Sequence, residues 1–224
     1  MINIIILGPP GAGKGTQARL IQEKFGYIQI STGDLVRNEI ESGSELGQHL
    51  KPIVNAGGYL DDKVMLELLE NKLKTVKTGA IIDGLPRTEN QANALHEMLK
   101  KNHQQINLVI ELKVDRDILA KRIAGRFSCA NCGAIYNDYY SPLVNEGKCN
   151  HCQGTQFIRR KDDDLEVVHK RLEIYDEKTQ PLLNYYDQNR QLSQIDGMQS
   201  VDEVASQIEM LITRYLKKPQ LCVN

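Results

Sequence analysis

Gly8-Pro9-Pro10-Gly11-Ala12-Gly13-Lys14-Gly15-Thr16 follows the apolar run Ile4–Leu7 and opens a stretch with Leu20, Ile21 and Phe25 at helical spacing. A short β-branched run, a glycine-rich turn and an amphipathic helix make the first half of a βαβ unit. Glycines let successive backbone N–H groups converge on an anion without Cβ clashes. The helix N-terminus adds partial positive charge, and Lys14 is spaced to reach the outer oxygens of a polyphosphate. A turn that binds nothing needs neither the lysine nor its spacing. The strict phosphate-loop pattern has Ser or Thr directly after the lysine, whereas here Gly15 intervenes before Thr16.

Working outward, β-branched runs recur at Tyr27–Ile30, Ala80–Asp83, Leu108–Leu112 and Gln191–Ile195. They are near-continuous rather than alternating, as expected of parallel strands covered on both faces. Gly26 is expected to stop the first helix. Ser200 and Glu203 have capping-box spacing ahead of the stripe Val201, Val204, Ile208, Leu211 and Ile212. Pro181 lies inside a helical stretch from Leu165 to about Asn189 and is expected to kink or end it locally. Two stretches interrupt the βα alternation: residues 31–60, with two helical segments, and residues 126–163, with little periodicity. Insertions of this kind in an α/β core usually carry function.

A chain of 224 residues with 41% hydrophobic content can bury a substantial core, and it suits one main domain with insertions. The net charge of −1 provides no long-range attraction to nucleic acid, so phosphate must be met locally. The run Ile4–Leu7 is too short for a signal sequence or a membrane span, and the expectation is a cytoplasmic protein.

The cysteines read Cys129-x₂-Cys132-x₁₆-Cys149-x₂-Cys152, with Cys222 apart near the end and taken as incidental. Two such knuckles are a zinc-ribbon signal. Four thiolates would close a tetrahedral shell, which makes the metal structural, with His151 a neighbour rather than a ligand. The insert shows no evident apolar core, so the ion is expected to hold it together.

Three more segments sit at the carboxyl ends of strands, or between them and the next helix, where open α/β sheets bind ligands. They are Ile30-Ser31-Thr32-Gly33-Asp34-Leu35-Val36-Arg37, Asp83-Gly84-Leu85-Pro86-Arg87-Thr88 with Gln91, and Arg159-Arg160-Lys161-Asp162-Asp163 with Arg171. Together with the glycine-rich loop, these ordered motifs resemble the adenylate kinase family from Met1 to about Leu216. The zinc-bearing bacterial members are similar in their long cysteine-containing lid.

That resemblance implies a P-loop NTPase-type three-layer α/β/α fold with a five-stranded parallel sheet. The core would comprise 1–30, 61–125 and 164–224, with an NMP-binding insert at 31–60 and a zinc-binding lid at 126–163. It implies that ATP meets Gly11, Ala12, Gly13, Lys14, Gly15, Thr16, Arg122, Arg126, Ile135, Tyr136 and Gln199. AMP would meet Thr32, Arg37, Gly58, Tyr59, Leu60, Gly84, Leu85, Pro86, Arg87 and Gln91, with Arg160 and Arg171 reaching in from the lid side. Lys14, Arg87, Arg126, Arg160 and Arg171 would serve the transfer itself. Arg19, one turn from Glu23, is read as an ordinary surface ion pair.

The implied reaction is reversible transfer from ATP to AMP, giving two ADP, by a monomer that binds neither nucleic acid nor membrane. Mg²⁺ would bridge the phosphates, with Asp34 and Asp83 as candidate acceptors from its waters. No general base is needed, because a phosphate monoester has a second pKa of about 6 and is already a dianionic nucleophile. A UMP/CMP-type acceptor is the nearer alternative, which Thr32 and the long lid disfavour. An ATP-binding module with a nucleic-acid-binding zinc ribbon is the remoter one. Gly57-Gly58 and Asp162–Asp164 are read as hinges, with capping of the next helix as the alternative for the aspartates. Leu85, where an aromatic is usual, and Gly58, where lysine is common, depart from the family.

Overall fold

The computed structural model describes residues 1–56, 58, 60–145, 147–160 and 163–217. Tyr59, Gly57, Lys161, Asp162 and Cys222 lie outside them. The glycine-rich turn joins β1 (Ile2–Leu7) to α1 (Lys14–Phe25). The remaining strands of the main sheet are β2 (Ile28–Ser31), β3 (Gly79–Asp83), β4 (Leu108–Lys113) and β8 (Leu192–Asp196). Their order is β2-β3-β1-β4-β8, and every pair is parallel. The five-stranded parallel sheet is therefore the expected one, shifted by a residue or so at most ends.

The sheet is covered on both faces, which is why its strands read as unbroken apolar runs. Ile5, Leu7, Ile82 and Val109 face a core shared with α4 (Asp62–Leu73), α5 (Glu89–Lys101) and α8 (Gln180–Gln188). Ile4, Ile6, Ile81 and Ile110 face the other way, onto α1 and α9 (Val201–Lys217). Ile4, Ile5 and Ile6 are fully buried, each contributing about 1.5–3 kcal/mol relative to exposure. β1 sits between β3 and β4, so the chain reverses its direction of travel beside the glycine-rich turn. That switch point opens a crevice at the strand carboxyl ends.

Local signals hold where they depend on neighbours in sequence. Gly26 takes φ 69° and caps α1 through its N–H to the Gln22 carbonyl. The Ser200 N–H donates to Glu203 Oε2 at 2.9 Å, and the Glu203 N–H to Ser200 Oγ at 3.3 Å, closing the capping box. The helix expected from Leu165 does break before Pro181. It runs as α7 (Leu165–Ile174), widens to a π turn over Tyr175–Thr179, and resumes as α8 with the proline in its first turn. Proline has no N–H to give the carbonyl four residues back, and its ring crowds that carbonyl, so the wider turn absorbs the mismatch.

The stretch 31–60 contains α2 (Thr32–Glu41) and α3 (Glu45–Asn55), as its patterning indicated. The two helices meet at Gly47, where a Cβ would come within 2.1 Å of the Glu39 carbonyl oxygen. The stretch 126–163 folds around a separate three-stranded antiparallel sheet, ordered β6-β5-β7. Its strands are β5 (Arg126–Cys129), β6 (Ile135–Asn137) and β7 (Phe157–Ile158). α6 (Arg116–Ala124) leads into it from β4.

Because the contact at Gly47 is with backbone, Gly47→Ala must push α2 and α3 apart. Urea unfolding is expected to show a loss of about 1–3 kcal/mol. An unchanged midpoint would contradict so close a crossing.

Candidate active site and metal centre

The turn after β1 is shaped by space as well as by conformation. Gly8 and Gly11 take φ 145° and 84°. A Cβ would lie 2.9 Å from the Leu112 carbonyl oxygen at Gly8, and 2.9 Å from Ile123 Cγ1 at Gly11. Lys14 Nζ donates to the carbonyls of Gly8 at 2.8 Å and Pro9 at 3.0 Å, folded back over the turn. Its pKa is lowered to about 8, chiefly by burial. Asp83 opposes that shift, while Arg87, Arg171 and Arg126 reinforce it.

A cleft of about 540 Å³ runs from this turn across the carboxyl ends of the sheet. Every described residue singled out for nucleotide contact lines it, from Gly11–Thr16 through Thr32, Arg37, Gly58, Leu60, Gly84–Arg87 and Gln91 to Arg122, Arg126, Ile135, Tyr136, Arg160, Arg171 and Gln199. Asp34 and Asp83 line it too. Tyr59 falls outside the described residues.

The guanidiniums are grouped around carboxylates. Asp34 accepts from Arg37 at 2.5 Å and lies 3.7 Å from Arg160. Burial alone would raise the Asp34 carboxyl, but Arg37, with help from Arg160, brings it below the ordinary carboxylate range. Asp163 accepts both forks of Arg126, from Nε at 2.9 Å and from Nη2, and lies 3.6 Å from Arg171. Arg160 thus reaches from the lid stretch to the helical insert.

Asp163 is a residue that sequence reading missed. The run Asp162–Asp164 reads in sequence as a hinge or a helix cap, yet the Asp163 side chain is only 6% exposed and binds two arginines. Asp164 is the one that caps α7, accepting from the Glu166 N–H at 3.0 Å. A run of three aspartates before a helix reads as capping, and nothing local marks one of them as an ion-pair partner.

On the side of α2 and α5, Thr32 and Gln91 are buried, and both are already hydrogen-bonded. Thr32 Oγ1 donates to the Asp83 carbonyl at 3.2 Å. Gln91 Oε1 accepts from the Arg87 N–H at 2.7 Å, and its Nε2 donates to Asp62 Oδ1 at 2.5 Å. Arg87 Nε donates to the Gly84 carbonyl at 2.7 Å. Leu85 is buried in the core beneath this wall, so the departure from an aromatic is absorbed by apolar packing.

On the side of α6, both terminal nitrogens of Arg122 donate to the Gly197 carbonyl, at 3.1 and 3.2 Å. The Tyr140 ring lies 5.3 Å from the same guanidinium. Asn137 Nδ2 donates to the Arg122 carbonyl at 2.6 Å. Tyr140 and Asn137 line the cleft but carry no sequence signal, since the lid stretch has no periodicity to orient them.

The four paired cysteines converge, with all their sulfurs within 4.8 Å of one another. Cys129 and Cys152 are 3.6 Å apart, as are Cys132 and Cys149. A disulfide needs about 2.0 Å. Ligands about 2.3 Å from a tetrahedral zinc are separated by about 3.8 Å. The spacing therefore fits four thiolates around one ion.

Each cysteine pair has the same knuckle. The N–H groups of Gly133 and Gln153 each donate at 3.0 Å to the first cysteine's carbonyl, and both residues take positive φ. The sequence suggested an insert without an apolar core, but Phe127, Tyr136 and Phe157 pack edge and face against the buried thiols. Three rings spread over thirty residues leave no periodic trace. The Tyr136 phenol is pushed up to about 12 by burial and by its hydrogen bond with Cys149.

Arg19 does pair with Glu23 at 3.2 Å, and it also donates to the Cys132 carbonyl at 3.3 Å, tying α1 to a knuckle. Among the described residues, no helix is long and apolar enough to cross a membrane.

The family described as adenylate kinase matches residues 6–191. The adenylate kinase of Paracoccus denitrificans is 43% identical over 213 residues, covering 95% of this chain and 98% of its own. That of Paramagnetospirillum magneticum is 41% identical over 213 residues, covering 94% and 98%. That of Zymomonas mobilis is 42% identical over 220 residues, covering 97% and 99%. A phosphate-loop turn, a cleft ringed by arginines and likeness along nearly the whole length all agree, and the chain belongs to the adenylate kinase family.

Proposed function

We propose that the chain transfers the terminal phosphoryl group of ATP to AMP, reversibly, giving two ADP. The carrying observation is the cleft itself. The glycine-rich turn and Lys14 lie at one part of its wall, Thr32, Arg37 and Arg87 at another, and Arg126, Arg160 and Arg171 line it as well. The relatives' name supports AMP as the acceptor.

In this reading a phosphate oxygen of AMP attacks the γ-phosphorus of ATP as the bond to the β,γ-bridging oxygen breaks. The leaving group is ADP, and the product is a second ADP. The attacking oxygen is ionised at neutral pH, so no side chain has to remove a proton. The protein aligns the two anions and offsets their repulsion. Arg37 and Arg87 hold the AMP phosphate, and Lys14 with the turn's N–H groups holds the β- and γ-phosphates. Arg126, Arg160 and Arg171 follow the charge as it moves between them. Thr32 and Gln91 face the AMP base, and Arg122 with the Gly197–Gln199 segment faces that of ATP. A magnesium ion arriving with ATP would supply further charge neutralisation at the phosphates. Asp83, in the cleft beside Lys14, would be placed to accept from the waters of that ion, while Asp34 holds Arg37 and Arg160 in place.

Residues 31–60 and 126–163 are the moving inserts on a core made of 1–30, 61–125 and 164–224. Their closure excludes water, which would otherwise accept the phosphoryl group. Cys129, Cys132, Cys149 and Cys152 would hold a structural zinc. The chain works as a monomer in the cytoplasm.

A coupled ADP-formation assay tests the acceptor half directly. Arg87→Ala is expected to lower kcat/KM by about 100-fold or more, because one charged donor at the transferring group is lost. Equal activity in the two proteins would remove Arg87 from the site.

Lys14 supplies a proton-linkage test. A lysine depressed to about 8 binds its proton less tightly than the unfolded chain does, so stability of the free protein rises with pH between about 8 and 10.5. Bound phosphates restore the charge. Nucleotide binding at pH 8.5 should therefore take up as much as about one proton, and affinity should fall by up to about tenfold per pH unit above that pKa. Calorimetry in two buffers of different ionisation enthalpy measures the uptake; a heat independent of buffer would contradict it.

Elemental analysis of freshly purified protein is expected to return about one zinc per chain. Folded, active protein with none would end the zinc assignment.

A further inference from the structure

We infer that Tyr136 is a positioning residue for the metal: its phenol donates a hydrogen bond to the Cys149 thiolate and thereby sets how firmly the zinc is held. The inference rests on the zinc reading above and goes beyond the four ligands.

The direction of the bond follows from its partners. The Tyr136 oxygen lies 3.2 Å from Cys149 Sγ and accepts the Asn150 backbone N–H at 2.9 Å. A phenol has one proton, and an N–H arriving at the oxygen occupies its acceptor side. A metal-bound thiolate has no proton to give, so the remaining contact has to run from phenol to sulfur. Both residues are buried, Cys149 fully and Tyr136 to within 3%, which leaves no room for water to replace either partner.

The ring is fixed as well. It stacks on Phe127 with centroids 5.6 Å apart and meets the edge of Phe157 at 6.1 Å, so the hydroxyl cannot swing away without breaking that cluster. Ionised acceptors make hydrogen bonds roughly twice as strong as neutral ones. Groups that bond to metal ligands in this way commonly change metal affinity by about 10–100-fold.

Alternation along β6 gives the contact a second consequence. Tyr136 turns its hydroxyl to the thiols, while its neighbour Ile135 reaches the first turn of α1, with Cδ1 3.2 Å from where a Gly15 Cβ would be. Asn137 donates to the Arg122 carbonyl. One three-residue strand therefore joins the metal centre to the phosphate loop and to the arginine beside the Gly197–Gln199 segment.

Tyr136→Phe keeps the ring and its packing and removes only the hydroxyl. Two measurements on the full chain separate a bond to sulfur from a merely structural part. The first is zinc release to a chromogenic chelator, expected to show affinity weaker by about 10–100-fold. The second is the thiolate-to-metal charge-transfer band of the Co²⁺-substituted protein. It should move to lower energy once the sulfur lone pair is no longer held by a donor. Both changes together support the inference. Weaker zinc with an unmoved band would mean that the phenol only anchors the Asn150 N–H, and that overturns it. Unchanged release overturns it whatever the band does. A wild type that takes up neither metal removes the zinc reading itself, and the stoichiometry of the unsubstituted protein reports that separately.

Discussion

Like charges crowded around one cleft are the condition that the rest of this structure answers. Lys14, Arg87, Arg126 and Arg171 lie close enough that the three guanidiniums all press the lysine toward its neutral form. Two unit charges about 5 Å apart repel by about 3 kcal/mol at an effective dielectric of about 20. A fold that holds several such pairs together without ligand needs counter-charges. Asp34 and Asp163 supply them, each lying between two arginines. In the proposed reaction the carboxylates would act as stand-ins for phosphate, keeping the forks oriented until polyanions displace or join them. The cost of assembling the cations is met during folding and recovered on binding, which is what preorganised electrostatic stabilisation requires.

The parallel sheet makes that assembly possible because all its strands end at the same edge. Turns after β1, β2 and β3 deliver the glycine-rich loop, Thr32 with Asp34, and Asp83 with Arg87 within one crevice. Apolar cores on both faces hold those strand ends still, so the loops inherit positions fixed by Ile4–Ile6 and Ile81–Ile82. The inserts then bring cations that the sheet alone cannot place. Arg160, from the stretch 126–163, lies 3.7 Å from Asp34 in the first turn of α2, so the two inserts share an ion pair.

What was legible in the sequence is what depends on near neighbours. The phosphate turn, the Gly26 stop, the Ser200–Glu203 box and the cysteine knuckles each lie within a few residues and have one good local solution. The cleft-lining arginines and the Thr32 and Gln91 positions were reachable because their motifs follow strand ends. Asp163 as a partner of Arg126, the Gln91 link to Asp62 and the second bond of Arg19 to Cys132 were not. Each joins residues far apart in the chain, and their side chains are also common at caps and surfaces. The break at Pro181 was foreseeable, but its form as a π turn over Tyr175–Thr179 depends on how α7 and α8 pack on the body. The three-ring core of the lid was hidden for a related reason: irregular backbone points its side chains without a period.

That small core bears on what a metal at the four cysteines would do for the insert. A segment the size of 126–163 is too short to bury enough apolar surface to fold by itself. Three rings and four thiols form a centre only if the thiols are held, and as free thiolates they would repel one another. A divalent ion bound by those four sulfurs would turn that repulsion into a cross-link within the insert. Under the proposed closure the insert would then move as one piece, and Arg160 would reach the cleft with its geometry intact rather than be ordered on arrival. A limp lid would have to fix its backbone during closure, at about 1–2 kcal/mol per residue, and would draw that from nucleotide binding. A cross-linked one meets most of the cost beforehand. With such a cross-link, the binding energy of the phosphates would be left for the step in which charge passes from one anion to the other.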